Sequence, residues 1–325
     1  MTTIFHEGDA SLDALAGATV AVVGYGNQGR PWSLNLRDSG LDVVACVRAD
    51  ETRERAEADG FATRDLDASS EADVVCLLVP DDAIPSLPLT PRPDALVIVA
   101  SGYTLAFDRL DPACDVGLVA PRMLGPEVRR CYEEGVGFIT GVGIHRDATG
   151  TAQARTLAVA LAIGGLRQGA IEMTPRQEAI LDLAVEQALS PALRRVSEAF
   201  VAVMLEEGIS LEAILTELVL SGEVERTYRL LRLEGYAAQM EHHSPVSQYG
   251  QLSRGPHFAH LDLAEPMREV VGNITSGRFA DEWDAERDAG FPAFHRLKDE
   301  AAGPAIAEFE ADLRTKLGER AIDRS

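Results

Sequence analysis

Apolar runs without polar alternation recur through the first half of the chain, each about the length of one strand: Val20-Ala-Val-Val23, Val43-Val-Ala-Cys-Val47, Val74-Val-Cys-Leu-Leu-Val79, Leu96-Val-Ile-Val-Ala100 and Val116-Gly-Leu-Val-Ala120. A strand that is apolar on both sides must be covered on both sides, so the pattern from residue 19 to about 172 predicts a parallel sheet with helices on its two faces. The period changes at Thr174-Pro-Arg-Gln177. Thr174 suits an N-cap, Pro175 the first helical position, and Gln177 the reciprocal bond of a capping box. Helical patterning follows over 179–207, 211–221, 224–241 and from 261 onward, with breaks at Gly277 and Gly290-Phe-Pro292. These patterns predict an α/β domain over 1–173 and an all-α domain over 174–325.

The first strand runs straight into Gly24-Tyr-Gly-Asn-Gln-Gly29, a Gly-x-Gly-x-x-Gly turn, and the helix-compatible Ser33-Leu-Asn-Leu-Arg37 comes next. Gly24 permits the tight turn, Gly26 lets the backbone approach a pyrophosphate, and Gly29 lets the helix pack on the strand, whose N-terminus then faces the phosphates. A Rossmann dinucleotide site is therefore expected, with Tyr25, Asn27 and Gln28 completing the loop. Past the second strand, Arg48-Ala-Asp-Glu-Thr-Arg53 offers arginines for a 2′-phosphate and acids for free ribose hydroxyls, so Arg48, Asp50 and Thr52 leave NADPH and NADH both open. Asp50 and Glu51 also suit the start of the next helix. Asp81, Ser101 with Gly102, and Arg122 lie just beyond strand ends, where open parallel sheets bind ligands.

Charge narrows the function. With 30 basic and 52 acidic residues among 325, the formal net charge is -22, which argues against nucleic-acid partners and anionic membrane surfaces. No apolar run reaches spanning length and no basic-then-apolar leader opens the chain. Cys46, Cys76, Cys114 and Cys131 are scattered without metal spacing, as expected of reduced thiols in a cytoplasmic protein.

In the helical half, Asp182 and Glu186 stand one turn apart on a helix with apolar neighbours Ile180, Leu181, Leu183 and Ala184. Such a pair suits either Mg²⁺ or an acidic helix face. Glu217 interrupts another apolar run, as a metal ligand or an ion-paired residue at the core's edge would. His242-His243-Ser244 precedes Gln248-Tyr-Gly250, and His257 and His260 loosely imitate a metal pair that nothing nearby completes.

Taken together, the glycine loop, Leu34-Asn-Leu-Arg-Asp-Ser-Gly40, Ala120-Pro121, Val128-Arg-Arg130 with Tyr132-Glu-Glu-Gly135, Asp182 to Gln187, Gln248-Tyr-Gly250, Gly255-Pro256 and Ile274 to Ala280 with Glu282-Trp283 resemble the short-form ketol-acid reductoisomerases. The resemblance spans nearly the whole chain in family order. It implies a Rossmann domain, a knotted helical domain, and a homodimer whose protomers share the active site. It also implies a small 2-keto or imino acid substrate, NADPH or NADH as hydride donor, and Mg²⁺ on Asp182, Glu186 and Glu217. Ser244 matches a serine that contacts the substrate carboxylate.

The departures are grouped. The family's second glutamate one turn after Glu217 is Ser221, its histidine between alanine and glycine is Ser101, its lysine after Ala-Pro is Arg122, and its histidine after the glycine loop is Arg30. Alkyl migration needs two neighbouring oxygens strongly polarised, whereas hydride transfer asks less. One Mg²⁺ site with a weakened second is therefore expected, with the reductase step kept and the isomerase step lost or reduced. Glu217, Arg122 and Ser101 become the candidate catalytic residues, and Arg122 with Ser244 the substrate contacts. A full isomeroreductase of branched-chain amino-acid synthesis and a non-catalytic nucleotide-binding protein are the competing readings.

Overall fold

The computed structural model describes residues 2–301 and 304–317, and it divides into two compact units, one ending at Leu183 and one starting at Ala184. The first is built on a nine-stranded sheet in the order β1-β9-β8-β7-β6-β5-β2-β3-β4. Its strands are β1 (Ile4–Phe5), β2 (Thr19–Val23), β3 (Asp42–Cys46), β4 (Ala62–Arg64), β5 (Val74–Leu77), β6 (Leu96–Val99), β7 (Asp115–Pro121), β8 (Thr140–Arg146) and β9 (Ala170–Glu172). Its helices are α1 (Gly29–Asp38), α2 (Glu51–Ala58), α3 (Tyr103–Ala106), α4 (Gly125–Glu133), α5 (Ala152–Ala162) and α6 (Pro175–Ala184).

All five apolar runs are strands, and β4-β3-β2-β5-β6-β7 pair in parallel. Successive residues of each strand feed different cores. Val20, Val22, Val74, Cys76, Leu96 and Ile98 pack into one cluster, while Ala21, Val23, Val75, Leu77, Val97 and Val99 pack into the other. That is the doubly covered sheet the patterning predicted.

The sheet's far edge departs from the parallel expectation. Thr140 pairs with Pro121, so the chain re-enters the sheet at the end by which it left, and β8 runs antiparallel to β7. Thr140-Gly-Val-Gly-Ile-His-Arg146 lacks a continuous apolar run and is only partly buried along its second half, so it gives no clear buried-strand signal. A buried Asn35 on α1 joins three helices. Its amide nitrogen donates to the carbonyls of Ile163 (3.0 Å) and Val128 (3.4 Å), and its oxygen accepts from Arg129 at 2.9 Å.

The capping box at the start of α6 forms as read. The backbone N–H of Gln177 donates to the Thr174 hydroxyl (3.1 Å), and the Thr174 N–H donates to Gln177 Oε1 (2.9 Å). Two reciprocal bonds fix where this helix begins. All four cysteines are buried thiols.

The second unit contains α7 (Ser190–Glu206), α8 (Leu211–Leu215), α9 (Glu223–Glu234), α10 (Tyr236–Met240), α11 (Pro245–Arg254), α12 (Ala264–Thr275), α13 (Arg278–Asp288), α14 (Pro292–Ala301) and α15 (Pro304–Leu317). The helix read over 224–241 is broken by Gly235 at φ 86°. Two π-helical segments, Val185–Leu189 and Thr216–Leu220, continue α6 and α8. No described helix is long and apolar enough to cross a membrane.

Candidate active site

The glycine loop follows β2 directly, and its three glycines answer different constraints. Gly24 has φ +97°, and a Cβ there would stand 2.7 Å from the Leu78 carbonyl oxygen. At Gly29 a Cβ would meet the Gly24 carbonyl oxygen at 2.1 Å. Around Gly26 there is nothing within 4 Å, so its missing side chain leaves open space for a ligand rather than room for the protein. The residues present therefore fit a dinucleotide pyrophosphate at the start of α1.

The loop is braced from α4. Gln28 donates to the Met123 carbonyl at 3.1 Å, and the backbone of Asn27 packs so closely on Gly125 that no Cβ fits there. Tyr25 turns its ring into the core, edge-on to Phe61, and its hydroxyl donates to Asp59 at 2.8 Å. Burial, followed by the Asp59 carboxylate, raises the pKa of this phenol. Arg30 also grips Asp59, at 2.7 and 3.1 Å. Arg30 thus fastens α1 to the end of α2.

A cavity of about 400 Å³ on one side of the loop is lined by Gly24, Tyr25, Gly26, Arg48 and Thr52, as a site for the adenosine half would be. Asp50 caps α2 by accepting from the Thr52 N–H at 2.9 Å, and its other oxygen lies 3.3 Å from the Arg48 guanidinium. Arg53 is spent on Asp65 and on the Val47 carbonyl. Arg48 is 79% exposed at the cavity's mouth.

A second cavity, of about 380 Å³, continues from Gly26, Asn27 and Gln28 to Asp81, Ala100 and Ser101. Ser101 and the Asp81 carboxyl share the wall of this cavity. Burial pushes the Asp81 pKa up to about 6, against the nearby Ser101 hydroxyl and with help from the Glu178, Asp82 and Asp182 carboxylates. Residue order shows Asp81 only as a polar residue after a strand, and the cavity sets it alongside Ser101.

Next to it lies a group that sequence patterning missed. Glu178 is 2% exposed, and its Oε2 accepts from the Gly102 N–H at 2.6 Å. That approach needs glycine, because a Cβ at residue 102 would lie 2.0 Å from the Pro175 carbonyl oxygen. Burial raises the Glu178 pKa, opposed first by this N–H. Arg122 donates to Glu178 Oε1 at 2.6 Å and to Asp182 Oδ1 at 2.7 Å, spanning one turn of α6. The signal was present as acids at 178, 182 and 186, a ladder four residues apart.

The remaining candidates stand in the second unit. Glu186 and Glu217 are both exposed, each in a π-helical segment. Ser221 donates to the Glu217 carbonyl (3.4 Å) and accepts from the Glu223 N–H (3.3 Å). Its hydroxyl serves the junction into α9. Ser244 is the N-cap of α11, accepting from the Ser247 N–H at 3.3 Å. His242 bonds Glu234 at 2.7 Å and His243 bonds Gln239 at 2.8 Å. His257 and His260 are exposed. Among the described residues, no group of three or more His, Cys, Asp or Glu side chains gathers as a metal site, and the Asp182 carboxylate already has a cation, Arg122. Asp182 stands in the first unit, ion-paired with Arg122, whereas Glu186 and Glu217 belong to the second.

Two family profiles match in tandem: the acetohydroxy acid isomeroreductase NADPH-binding domain over residues 14–169 and the ketol-acid reductoisomerase C-terminal domain over residues 176–319. The chain belongs to the ketol-acid reductoisomerase family. It is 36% identical over 323 residues to the NADP⁺ ketol-acid reductoisomerase of Caldivirga maquilingensis, covering 97% of this chain and 98% of that one. The corresponding protein of Saccharopolyspora erythraea is 35% identical over 331 residues, with the same coverage. Among solved structures, an NADH-preferring ketol-acid reductoisomerase from an uncultured archean superposes with a TM-score of 0.88 at 28% identity, over 96% of this chain and 98% of that one. As a member of this family the chain is an NAD(P)-dependent oxidoreductase with a nicotinamide cofactor.

Proposed function

We propose that this ketol-acid reductoisomerase homologue reduces a small carboxylate-bearing keto or imino acid, and that its isomerase step is lost or much reduced. The observation that carries the reading is the cavity joining Gly26, Asn27 and Gln28 to Ser101 and the buried Asp81 carboxyl. A bound nicotinamide would supply the hydride. Ser101 is suited to donate a hydrogen bond to the carbonyl or imine being reduced, and Asp81, protonated below about pH 6, to restore the hydroxyl proton. Arg122 holds positive charge on Glu178 and Asp182, the α6 carboxylates that act on Asp81. Loss of the isomerase step is supported by Ser221, whose hydroxyl serves the backbone, and by Arg122 holding one of the implied metal ligands.

Residues 174–325 would then carry substrate and dimer contacts, with the active site shared between two protomers of a cytoplasmic homodimer. α7 supports that assignment. It buries none of its residues, and with the preceding π-segment it presents Leu189, Leu193, Val196, Phe200 and Val203 at alternating spacings of four and three. A second copy of the chain is the occupant such a stripe fits.

The test is turnover by the purified protein with Mg²⁺ and NADPH or NADH, offered either 2-acetolactate or the rearranged 3-hydroxy-2-keto acid. Consumption of only the rearranged acid is expected. Acetolactate turnover at an ordinary enzymatic rate would overturn the reading in favour of a full isomeroreductase, which the relatives of the same name support. No turnover of any keto or imino acid would leave a nucleotide-binding role.

A further inference from the structure

We infer that Arg122 is the resident cation of this site and keeps divalent metal ions off Asp182. The inference is independent of which acid is reduced. It rests on how the guanidinium is anchored. One terminal nitrogen is held by Glu178, which is 2% exposed and whose second oxygen is fixed by the Gly102 N–H. The planar fork then aims the other nitrogen at Asp182 Oδ1, at 2.7 Å.

A metal ion at Asp182 would face two costs. If Arg122 stays, a divalent ion sits beside a guanidinium that already neutralises the carboxylate. If Arg122 withdraws, Glu178 is left as a buried carboxylate without its ion-pair partner, and removing one member of such a pair is strongly destabilising. Both Glu178 oxygens are engaged, one by the Gly102 N–H at 2.6 Å and the other by Arg122, so the carboxylate is anchored from two sides. A lysine at 122 would keep a charge for Glu178 but, as a point charge without a fork, could not span both carboxylates in the same way.

The experiment is a Mn²⁺ titration of the full-length protein, read by the electron paramagnetic resonance signal of free Mn²⁺, without substrate or turnover. The set is wild type, Asp182→Asn, Arg122→Lys, and Arg122→Lys with Asp182→Asn, with thermal melts and NADPH fluorescence confirming folded protein. Wild type and Asp182→Asn should give the same weak binding, that of the acidic surface. Arg122→Lys should bind at least about tenfold tighter, and the added Asp182→Asn should remove the gain. Two results would overturn the inference: tight Mn²⁺ binding by wild type that is lost in Asp182→Asn, or no gain in a folded Arg122→Lys. Should Arg122→Lys fail to fold, the comparison of wild type with Asp182→Asn still decides.

Discussion

Val20 to Val23 on β2 and Leu189 to Val203 leading through α7 are both apolar stretches, yet every side chain of the first is buried and the five stripe residues of the second are 42 to 57% exposed. Among the described residues, the two buried hydrophobic clusters lie within the first unit. The strands there are covered on both faces by residues of their own unit, so burial is complete within one chain. The helices of the second unit leave Val185, Val219, Tyr228, Leu233 and Leu252 exposed as well. Water contact with that much apolar surface is unfavourable, and in a family member it argues for a folding unit finished by another protomer. Under the proposed function, one unit holds the cofactor loop and a second protomer covers the apolar stripe of the other.

The sharpest way to break this contrast is to charge the stripe. Phe200→Asp with Val203→Asp should convert the proposed dimer to monomer and abolish turnover, since each uncompensated buried charge costs about 3 to 5 kcal/mol. Light scattering after gel filtration checks the mass. A wild-type monomer, or a dimer unaffected by the charges, would refute the assignment. In the first unit, Ile98→Ala should instead cost about 2 to 5 kcal/mol while leaving the mass on gel filtration unchanged, because that core needs no second copy.

Within the first unit the glycines separate fold from ligand. Gly24→Ala combines positive φ with a clash against Leu78, so its melting temperature and its cofactor affinity should fall together. Gly26→Ala adds a Cβ that meets no protein atom. Its melting temperature should stay near wild type while NAD(P)H binding weakens by about tenfold or more, as intrinsic fluorescence quenching would record. Equal loss of stability in both would mean that the open space at Gly26 is not a ligand's.

A pH effect follows from Asp81, which faces Ser101, Asp82 from the same loop, and Glu178 and Asp182 from α6. Its carboxyl is harder to ionise in the fold than in the unfolded chain, so the native state binds more protons between about pH 4 and 6. Stability attributable to this residue therefore falls as pH rises through that window, by at most about 3 kcal/mol. Asp81→Asn should melt higher than wild type at pH 7 and show no such gain at pH 4. If Asp81 also supplies the proton, turnover in wild type declines above its apparent pKa and the variant loses that limb. A stability gain with an unchanged pH profile would remove Asp81 from the chemistry.

Much of this was legible in residue order because local physics decided it. The five buried strands, the glycine turn and the box at Thr174 and Gln177 each depend on neighbours in sequence. β8 was obscured because its glycines, Gly141 and Gly143, face Met173, a contact known only once the chain has crossed back. Glu178 was passed over for a similar reason: its burial depends on Gly102, seventy-six residues earlier. The π-segments at Val185–Leu189 and Thr216–Leu220 carry no composition cue, yet they hold Glu186 and Glu217. Resemblance named the site's residues, and only geometry paired Arg122 with two of the acids on α6.

The smallest expected effect concerns the cofactor's far end. Asp50 is spent as the N-cap of α2 and on Arg48, which removes much of its repulsion for a 2′-phosphate, while the Arg48 guanidinium, paired with Asp50 at 3.3 Å, is exposed enough to reach one. An exposed ion pair contributes little, so the preference should be slight: Arg48→Ala should raise KM for NADPH by a few fold, about 1 kcal/mol or less, and leave KM for NADH nearly unchanged. Replacing Asp50 by Asn preserves the cap and should shift the ratio further toward NADPH. The cap explains why an acid at residue 50 is compatible with either cofactor. If Arg48→Ala leaves the NADPH to NADH ratio untouched, the arginine serves only to neutralise Asp50, and the discrimination must come from the other residues around that cavity, Thr52 first among them.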